Sequence, residues 1–296
     1  MTSLCDISII VVSYNVRALL DDCLHSIERQ AGVSHEVFVV DNASSDGSAD
    51  LVRTKFPHVH LTACTENLGF ARANNRVLNK TRGRLIYYLN PDTVLPEGAL
   101  AGICAFMERH PETGIASTRL LFPDGSDQPA VKYRHDGARY VRGELDGLPG
   151  PIAWVIGASL VARHDLMLQT GGFDERFFLY GEDEDICLSV RKLGHEVGFI
   201  EEVKVIHYQG QSEKTTPSLE LVRKKLVGSL VFYEKHYRAG TLRRICRAER
   251  RRVALHMLRA RLNPGYWFKA GQVRDNYARA GLEWELFSRW RKKWVE

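Results

Sequence analysis

Residues 7–13 read ISIIVVS, a short, β-branched and nearly continuous apolar run. A strand with one face in water alternates apolar and polar positions, so a run this uniform predicts a strand covered on both faces. Val16, Leu19, Leu20, Cys23, Leu24 and Ile27 then recur at helical spacing, with Asn15 standing where a helix cap is expected. The same succession returns along the chain: a strand over 37–40, the cap and turn residues DNASSDGS at 41–48, and a short helix through Leu51 and Val52. A strand over 59–63, a helix over 70–80 and a strand over 85–89 follow. Alternation of this kind predicts an α/β fold, a mostly parallel sheet flanked by helices, with the loops at the carboxyl ends of the strands open to ligands.

The second half is less regular. A helix is predicted over 97–109 behind Pro96, a strand over 115–121, and a turn at Pro123-Asp124-Gly125. Residues 124–150 are rich in Gly, Pro, Asp and Arg and read as one long functional loop. A strand over 154–162, a helix over 184–193 and a last strand over 203–207 come next, and from about residue 218 the pattern is helical and basic. The organisation expected is a catalytic domain over 1–235, with halves at about 1–123 and 124–235, and a helical appendage over 236–296.

Composition narrows the class. The 296 residues are 44% hydrophobic and 26% charged, too apolar for a disordered polymer, and 24 Gly with 10 Pro show no collagen-like bias. No apolar run reaches the roughly 18 residues that cross a membrane. The start of the chain lacks a basic region before a cleavable apolar stretch, so no signal peptide is expected and a cytoplasmic location is. Six cysteines without a C-x-x-C pair argue against a zinc ribbon or a disulfide framework. The net charge of +5 is unevenly placed: 241–296 holds 15 Lys and Arg against 5 Asp and Glu, or +10, and 1–240 carries 26 against 31, or −5. A basic block of this size points to an anionic partner.

No G-x-G-x-x-G follows the first strand and no P-loop motif occurs, which lowers dinucleotide and P-loop readings. Instead the first three strand ends carry Asn15, then Asp41 and Asn42, then Glu66 and Asn67. A carboxylate just past a strand can accept hydrogen bonds from a ribose hydroxyl or a base imide, although each of these residues also suits a turn or a cap. The fourth strand exits through Asn90-Pro91-Asp92-Thr93, where proline stiffens the chain and aims Asp92 beyond the sheet. A carboxylate there suits a divalent metal, or an ordinary turn. Residues 171–189 place Glu182, Asp183, Glu184 and Asp185 after Phe173, Phe177, Phe178 and Tyr180. An acid desolvated beside aromatics gains the raised pKa that a general base uses, while acids also favour a helix N-terminus. His207 closes an apolar strand before a glycine turn; such a histidine is a metal ligand or a core residue.

Taken in order, IIVVSYN at 9–15, VVDNASSDGS at 39–48, NLGFARANN at 67–75, NPDT at 90–93, GGFDE at 171–175, EDED at 182–185 and His207 resemble the family 2 glycosyltransferases, over about residues 6–235. The resemblance is strongest to the bacterial rhamnosyltransferase-like branch. It implies a GT-A fold and inverting transfer from a nucleoside diphosphate sugar, with a divalent metal, Mg²⁺ or Mn²⁺. By position it implies that Asp41 holds the nucleobase or ribose, and that Asn15 and the Asn67 loop, with Gly69 and Arg72, line the nucleotide pocket. Asp92 and His207 become metal ligands and Asp183 the base, while Trp154, Gly157 and Glu182 shape the sugar and acceptor pocket. Many relatives carry two acids in the metal motif; here the first is Asn90, a version that recurs among users of dTDP-rhamnose, although a UDP-sugar stays open. The acceptor class implied is a glycan or a polyprenyl-diphosphate-linked glycan used in bacterial cell-surface polysaccharide synthesis.

In the basic stretch Arg243, Arg244, Arg247, Arg250, Arg251 and Arg252 interleave with Ile245, Val253, Leu255, Met257 and Leu258, near Trp267, Trp284, Trp290 and Trp294. Basic side chains with interfacial aromatics suit a helix lying on the inner leaflet of an anionic membrane. A solvated helical appendage fits the same letters. A nucleic-acid-binding protein acting through the tail is the different class to weigh; its binding falls steeply with salt and needs no nucleotide sugar. The favoured reading has no nucleic-acid partner.

Overall fold

The computed structural model describes residues 5–210, 218–262 and 281–290. The chain divides into two compact units, one made of 1–135 with 148–215 and the other of 136–147 with 216–296.

The first unit begins with β1 (Cys5–Ser13), α1 (Arg17–Glu28), β2 (His35–Asp41), α2 (Ser48–Lys55), β3 (His60–Ala63), α3 (Gly69–Leu78) and β4 (Gly83–Leu89). These match the predicted alternation. It continues through β5 (Thr93–Val94), α4 (Ala99–Arg109), β6 (Thr113–Leu121), β7 (Asp127–Gln128), β8 (Val131–Lys132), β9 (Trp154–Val155), β10 (Ser159–Arg163), α5 (His164–Thr170), α6 (Glu182–Lys192) and β11 (Glu196–His207). The main sheet runs in the order β3-β2-β1-β4-β10-β6-β11-β5, with β7 attached to β6. Strands β1 to β4 pair in parallel, and β10 runs antiparallel to both β4 and β6.

Ile7, Ile9, Ile10 and Val11 are fully buried, which accounts for the unbroken apolar run in β1. Ile7, Ile9 and Val11 join Leu20, Leu24 and Ile27 of α1, Val52 of α2 and Leu100 and Ile103 of α4 in one core. The opposite face is covered by α3 against β1 and β2 and by α5 against β4 and β10. Each such side chain contributes about 1.5–3 kcal/mol of apolar burial. The chain therefore turns from β1 outward to β2 and β3, then returns across the sheet to β4. The carboxyl ends of β1 and β4 form the point at which strand order reverses, where open α/β sheets take their ligands.

Three expectations change. Asn15 does not cap α1: it sits in the left-handed region at φ 53°, and its Oδ1 accepts the Ser45 N–H at 2.8 Å instead. The N–H of Arg17 goes to Asp46 Oδ2 at 2.8 Å, so the cap comes from the turn after β2. The single strand expected over 154–162 is two, β9 pairing with β8 in a separate ribbon and β10 entering the main sheet. Residues 124–150 hold β7, β8 and a short 3₁₀ turn at Ala138–Tyr140 rather than one irregular loop.

The second unit holds α7 (Ser218–His236), α8 (Ala239–Leu262) and a helix, α9, over 281–290. Phe232, Tyr233, Tyr237, Ile245, Phe287 and Trp290 are buried, and the Trp290 indole donates to Glu234 at 2.8 Å. Trp290 is thus a core residue, while Trp284 lies partly exposed under the Arg250 guanidinium, 4.8 Å from its ring. Trp267 and Trp294 lie outside the described residues. No helix among the described residues is long and apolar enough to cross a membrane.

Candidate functional site

The ends of β1 and β2 are joined by hydrogen bonds. Asn42 N–H donates to the Ser13 carbonyl at 2.8 Å, and Cys64 N–H to the Asp41 carbonyl at 2.8 Å, extending the sheet one step beyond its strands. Asp41 is buried, and its Oδ2 accepts the Ser44 N–H at 3.1 Å. Its Oδ1 and the neighbouring Ser13 hydroxyl are buried without a hydrogen-bond partner. Buried polar atoms are nearly always paired, so two orphans at adjacent strand ends mark a place where a ligand completes the network.

The third strand end is organised by two amides. Asn42 Nδ2 donates to Asn67 Oδ1 at 2.9 Å and to the Gly69 carbonyl at 3.2 Å, while its Oδ1 accepts the Leu68 N–H at 2.7 Å. Asn67 Oδ1 also takes the Gly69 N–H at 2.9 Å. Gly69, at φ 78°, opens α3 at a place where a Cβ would meet the Phe178 carbonyl oxygen at 2.4 Å. Only glycine allows that approach. The adjacent Phe70 N–H donates to the same carbonyl at 2.8 Å. Arg72 is exposed one turn on, 3.7 Å from Glu175.

Asn75, from the same helix, holds the GGFDE turn from both sides. Its Nδ2 donates to the Phe173 carbonyl at 2.8 Å and its Oδ1 accepts the Phe173 N–H at 2.9 Å. The Phe173 ring packs against Tyr88 and Phe70. The aromatic stretch before the acids is therefore anchored to α3, a role for Asn75 that its letter alone did not announce.

Beyond β4, Asn90 N–H donates to the Ala158 carbonyl at 2.9 Å, and the Thr93 hydroxyl donates back to the Asn90 carbonyl at 2.7 Å. This tight exit delivers Asp92, which is buried. Immediately after it β5 pairs antiparallel with the end of β11, Thr93 opposite His207, and Tyr208 N–H donates to the Asp92 carbonyl at 2.9 Å. His207 Nε2 stands 3.4 Å from Asp92 Oδ1, both side chains about 6–7% exposed. Cys23 Sγ lies 3.7 Å from Thr93 Oγ1, and burial pushes its thiol up to about 12. At neutral pH it stays a neutral thiol. Among the described residues no three His, Cys, Asp or Glu side chains form a metal-holding group.

The four acids open α6, in line with the helix dipole. They are not equivalent. Glu182, Glu184 and Asp185 are buried, and Glu184 Oε1 lies 3.0 Å from His135 Nδ1, with Arg191 Nη1 at 3.3 Å from the other ring nitrogen. Asp183 alone of the four is half-exposed. Its Oδ2 accepts the Gly157 N–H at 3.3 Å, and a Cβ on Gly157 would come within 3.3 Å of the Asp183 Cβ. Gly157 precedes Ala158, whose carbonyl holds Asn90. One short path, Asp183 to Gly157–Ala158 to Asn90 to Asp92 to His207, therefore ties the acid helix to the exit of β4. Trp154 lies on β9, against which α6 packs, and its indole Nε1 is a third buried polar atom without a partner.

Comparison with known proteins follows the same outline. Residues 8–164, more than half of the chain, match the family described as glycosyl transferase family 2. The chain is 25% identical over 243 residues to the N-acetylglucosaminyl-diphospho-decaprenol L-rhamnosyltransferase of Mycobacterium tuberculosis, covering 72% of this chain and 79% of that protein. It is 30% identical over 133 residues to the putative teichuronic acid biosynthesis glycosyltransferase TuaG of Bacillus subtilis, 44% of this chain and 52% of that one. Among solved structures, the mannosyltransferase PcManGT from Pyrobaculum calidifontis, in complex with GDP-Man and Mn²⁺, superimposes with a TM-score of 0.57 at 18% identity, over 100% of this chain and 89% of that one. S. aureus TarS 1-349 in complex with UDP-GlcNAc gives 0.54 at 17% identity, over 77% of this chain and 66% of that one. The fold is that of the GT-A glycosyltransferases.

Proposed function

The chain belongs to glycosyl transferase family 2, and from that premise we propose that it is an inverting transferase moving a sugar from a nucleoside diphosphate to a hydroxyl of a glycan or polyprenyl-diphosphate-linked acceptor. Rhamnose from dTDP-rhamnose is the favoured donor, in bacterial cell-surface polysaccharide synthesis, and a UDP-sugar is the alternative. The observation that carries this reading is the approach of Asp92 and His207 to 3.4 Å, with Asp183 accepting from Gly157, the residue before the Ala158 whose carbonyl holds Asn90.

Each residue has a defined task in a direct displacement. The Asp41 carboxylate, with one oxygen unpaired, accepts hydrogen bonds from the base or ribose. Asp183, the accessible acid, takes the proton of the acceptor hydroxyl as that oxygen attacks the anomeric carbon. The Trp154 N–H is available to a sugar hydroxyl. A divalent ion at Asp92 and His207, when bound, neutralises the charge of the diphosphate leaving group.

Thermal unfolding with a panel of nucleotide sugars, with and without Mn²⁺, tests the reading. A donor at 100 times its Kd stabilises the fold by about 2.7 kcal/mol. dTDP-rhamnose is expected to raise Tm most, and Asp41→Ala to weaken that binding by roughly tenfold or more, the worth of a hydrogen bond to a charged group. A panel in which no nucleotide sugar shifts Tm overturns it.

The same proposal places the second unit on the cytoplasmic face of an anionic membrane. On α8, Arg243, Arg247, Arg251 and Leu255 are exposed at four-residue intervals, with Leu258 beside them, while Ile245, Cys246 and Val253 point inward. That stripe is basic and ends apolar, as an interfacial helix requires. The full chain is expected to sediment with vesicles containing anionic lipid and to be released by salt. Equal recovery in the supernatant with anionic and neutral vesicles overturns the membrane assignment.

A further inference from the structure

We infer that Gln128 is a positioning residue that locks the His207 imidazole in one tautomer, so that its Nε2 lone pair is turned toward Asp92. This deepens the proposed metal site and rests on it.

Gln128 lies on β7, beside the end of β6, and is buried. Its Nε2 donates to the His207 carbonyl at 2.6 Å and to the Leu121 carbonyl at 3.3 Å. Carbonyl oxygens only accept, so the amide nitrogen must face them and the amide oxygen must face the other way. That oxygen lies 2.9 Å from His207 Nδ1. An amide oxygen cannot donate, so Nδ1 carries the proton. In the neutral ring Nε2 is then bare, and it is the atom 3.4 Å from Asp92 Oδ1.

A lone pair and a carboxylate facing each other at that range repel unless something positive stands with them. The arrangement thus holds two donors ready for a cation. Two strand carbonyls set the amide, the amide sets the imidazole, and the imidazole is grasped at its ring and its own backbone together. Partners of this kind behind a ligating histidine fix both tautomer and ring orientation.

The test reads the tautomer directly. ¹⁵N NMR of the metal-free full chain, above the ordinary imidazole titration range, with His207→Ala to assign the signals, is expected to show Nδ1 protonated and Nε2 bare. Gln128→Leu shifts His207 toward the Nε2-protonated form. Where Gln128→Leu fails to fold, Gln128→Asn, which withdraws the amide by one methylene, carries the same expectation. Mn²⁺ titration in the presence of dTDP, followed by the electron paramagnetic resonance of free Mn²⁺, is expected to show 10–100-fold weaker binding in Gln128→Leu, about the usual cost of losing such a partner. An unchanged tautomer in Gln128→Leu or Gln128→Asn overturns the role of Gln128. Wild-type Mn²⁺ binding by His207→Ala instead removes the metal reading beneath it, so the two failures are told apart.

Discussion

Replacing Asp183 with asparagine is expected to lower sugar transfer by about 10²–10⁴-fold, the usual contribution of a positioned general base, while donor-induced stabilisation stays at the wild-type level. The substitution is nearly isosteric, and an amide oxygen can still accept the Gly157 N–H that Asp183 Oδ2 accepts now. The capacity to take a proton is lost, together with one of two acceptors, since Asp183 Oδ1 also accepts the Glu184 N–H at 2.9 Å. Rescue by a neighbour is not expected, because Glu182, Glu184 and Asp185 are buried and Glu184 already faces His135. Initial rates with saturating donor and acceptor, beside thermal shifts with donor alone, separate the two effects. Transfer at wild-type rate moves the base elsewhere in the cleft.

Asp92→Asn carries the other large expectation. Its backbone carbonyl still accepts the Tyr208 N–H, so the β5–β11 junction survives, but the carboxylate opposite His207 is gone. Charge stabilisation of a leaving diphosphate is worth several kcal/mol; at about 4 kcal/mol the loss is roughly 10³-fold in rate. The variant is expected to lose the metal dependence of nucleotide-sugar binding as well, with excess Mn²⁺ failing to restore turnover. Retained metal dependence in both assays would falsify the pairing of Asp92 with a cation.

The elements that sequence reasoning located are those whose letters report their own surroundings. In β1, β2 and β4, burial on both faces selects continuous Val, Ile, Leu and Tyr, and no partner is needed to recognise the result. For 154–162 the apolar run was visible and the pairing was not, because β9 bonds to β8 and β10 to β4 and β6 through distant parts of the chain. The short helix α5 has only Leu166 and Met167 buried, too few positions to establish a period. Among candidate site residues, Asp41 and Asp92 could be suspected from their places at strand ends. The meeting of Asp92 with His207 depends on register across the sheet, which spacing does not encode, and came from family resemblance. Gln128 gave no signal, since a glutamine in a Pro- and Gly-rich stretch reads as solvated until both of its neighbours are known to be carbonyls.

Two residue pairs, Thr93 with His207 and Val94 with Ile206, join β5 to the end of β11. A nascent or shortened polypeptide that has not yet added β11 already contains β1 through β4 and the unpaired Asp41 oxygen, yet it lacks the imidazole half of the Asp92 pair. On the proposed reading, the site is complete only when the chain extends past His207, by which point the acid helix α6 is also present.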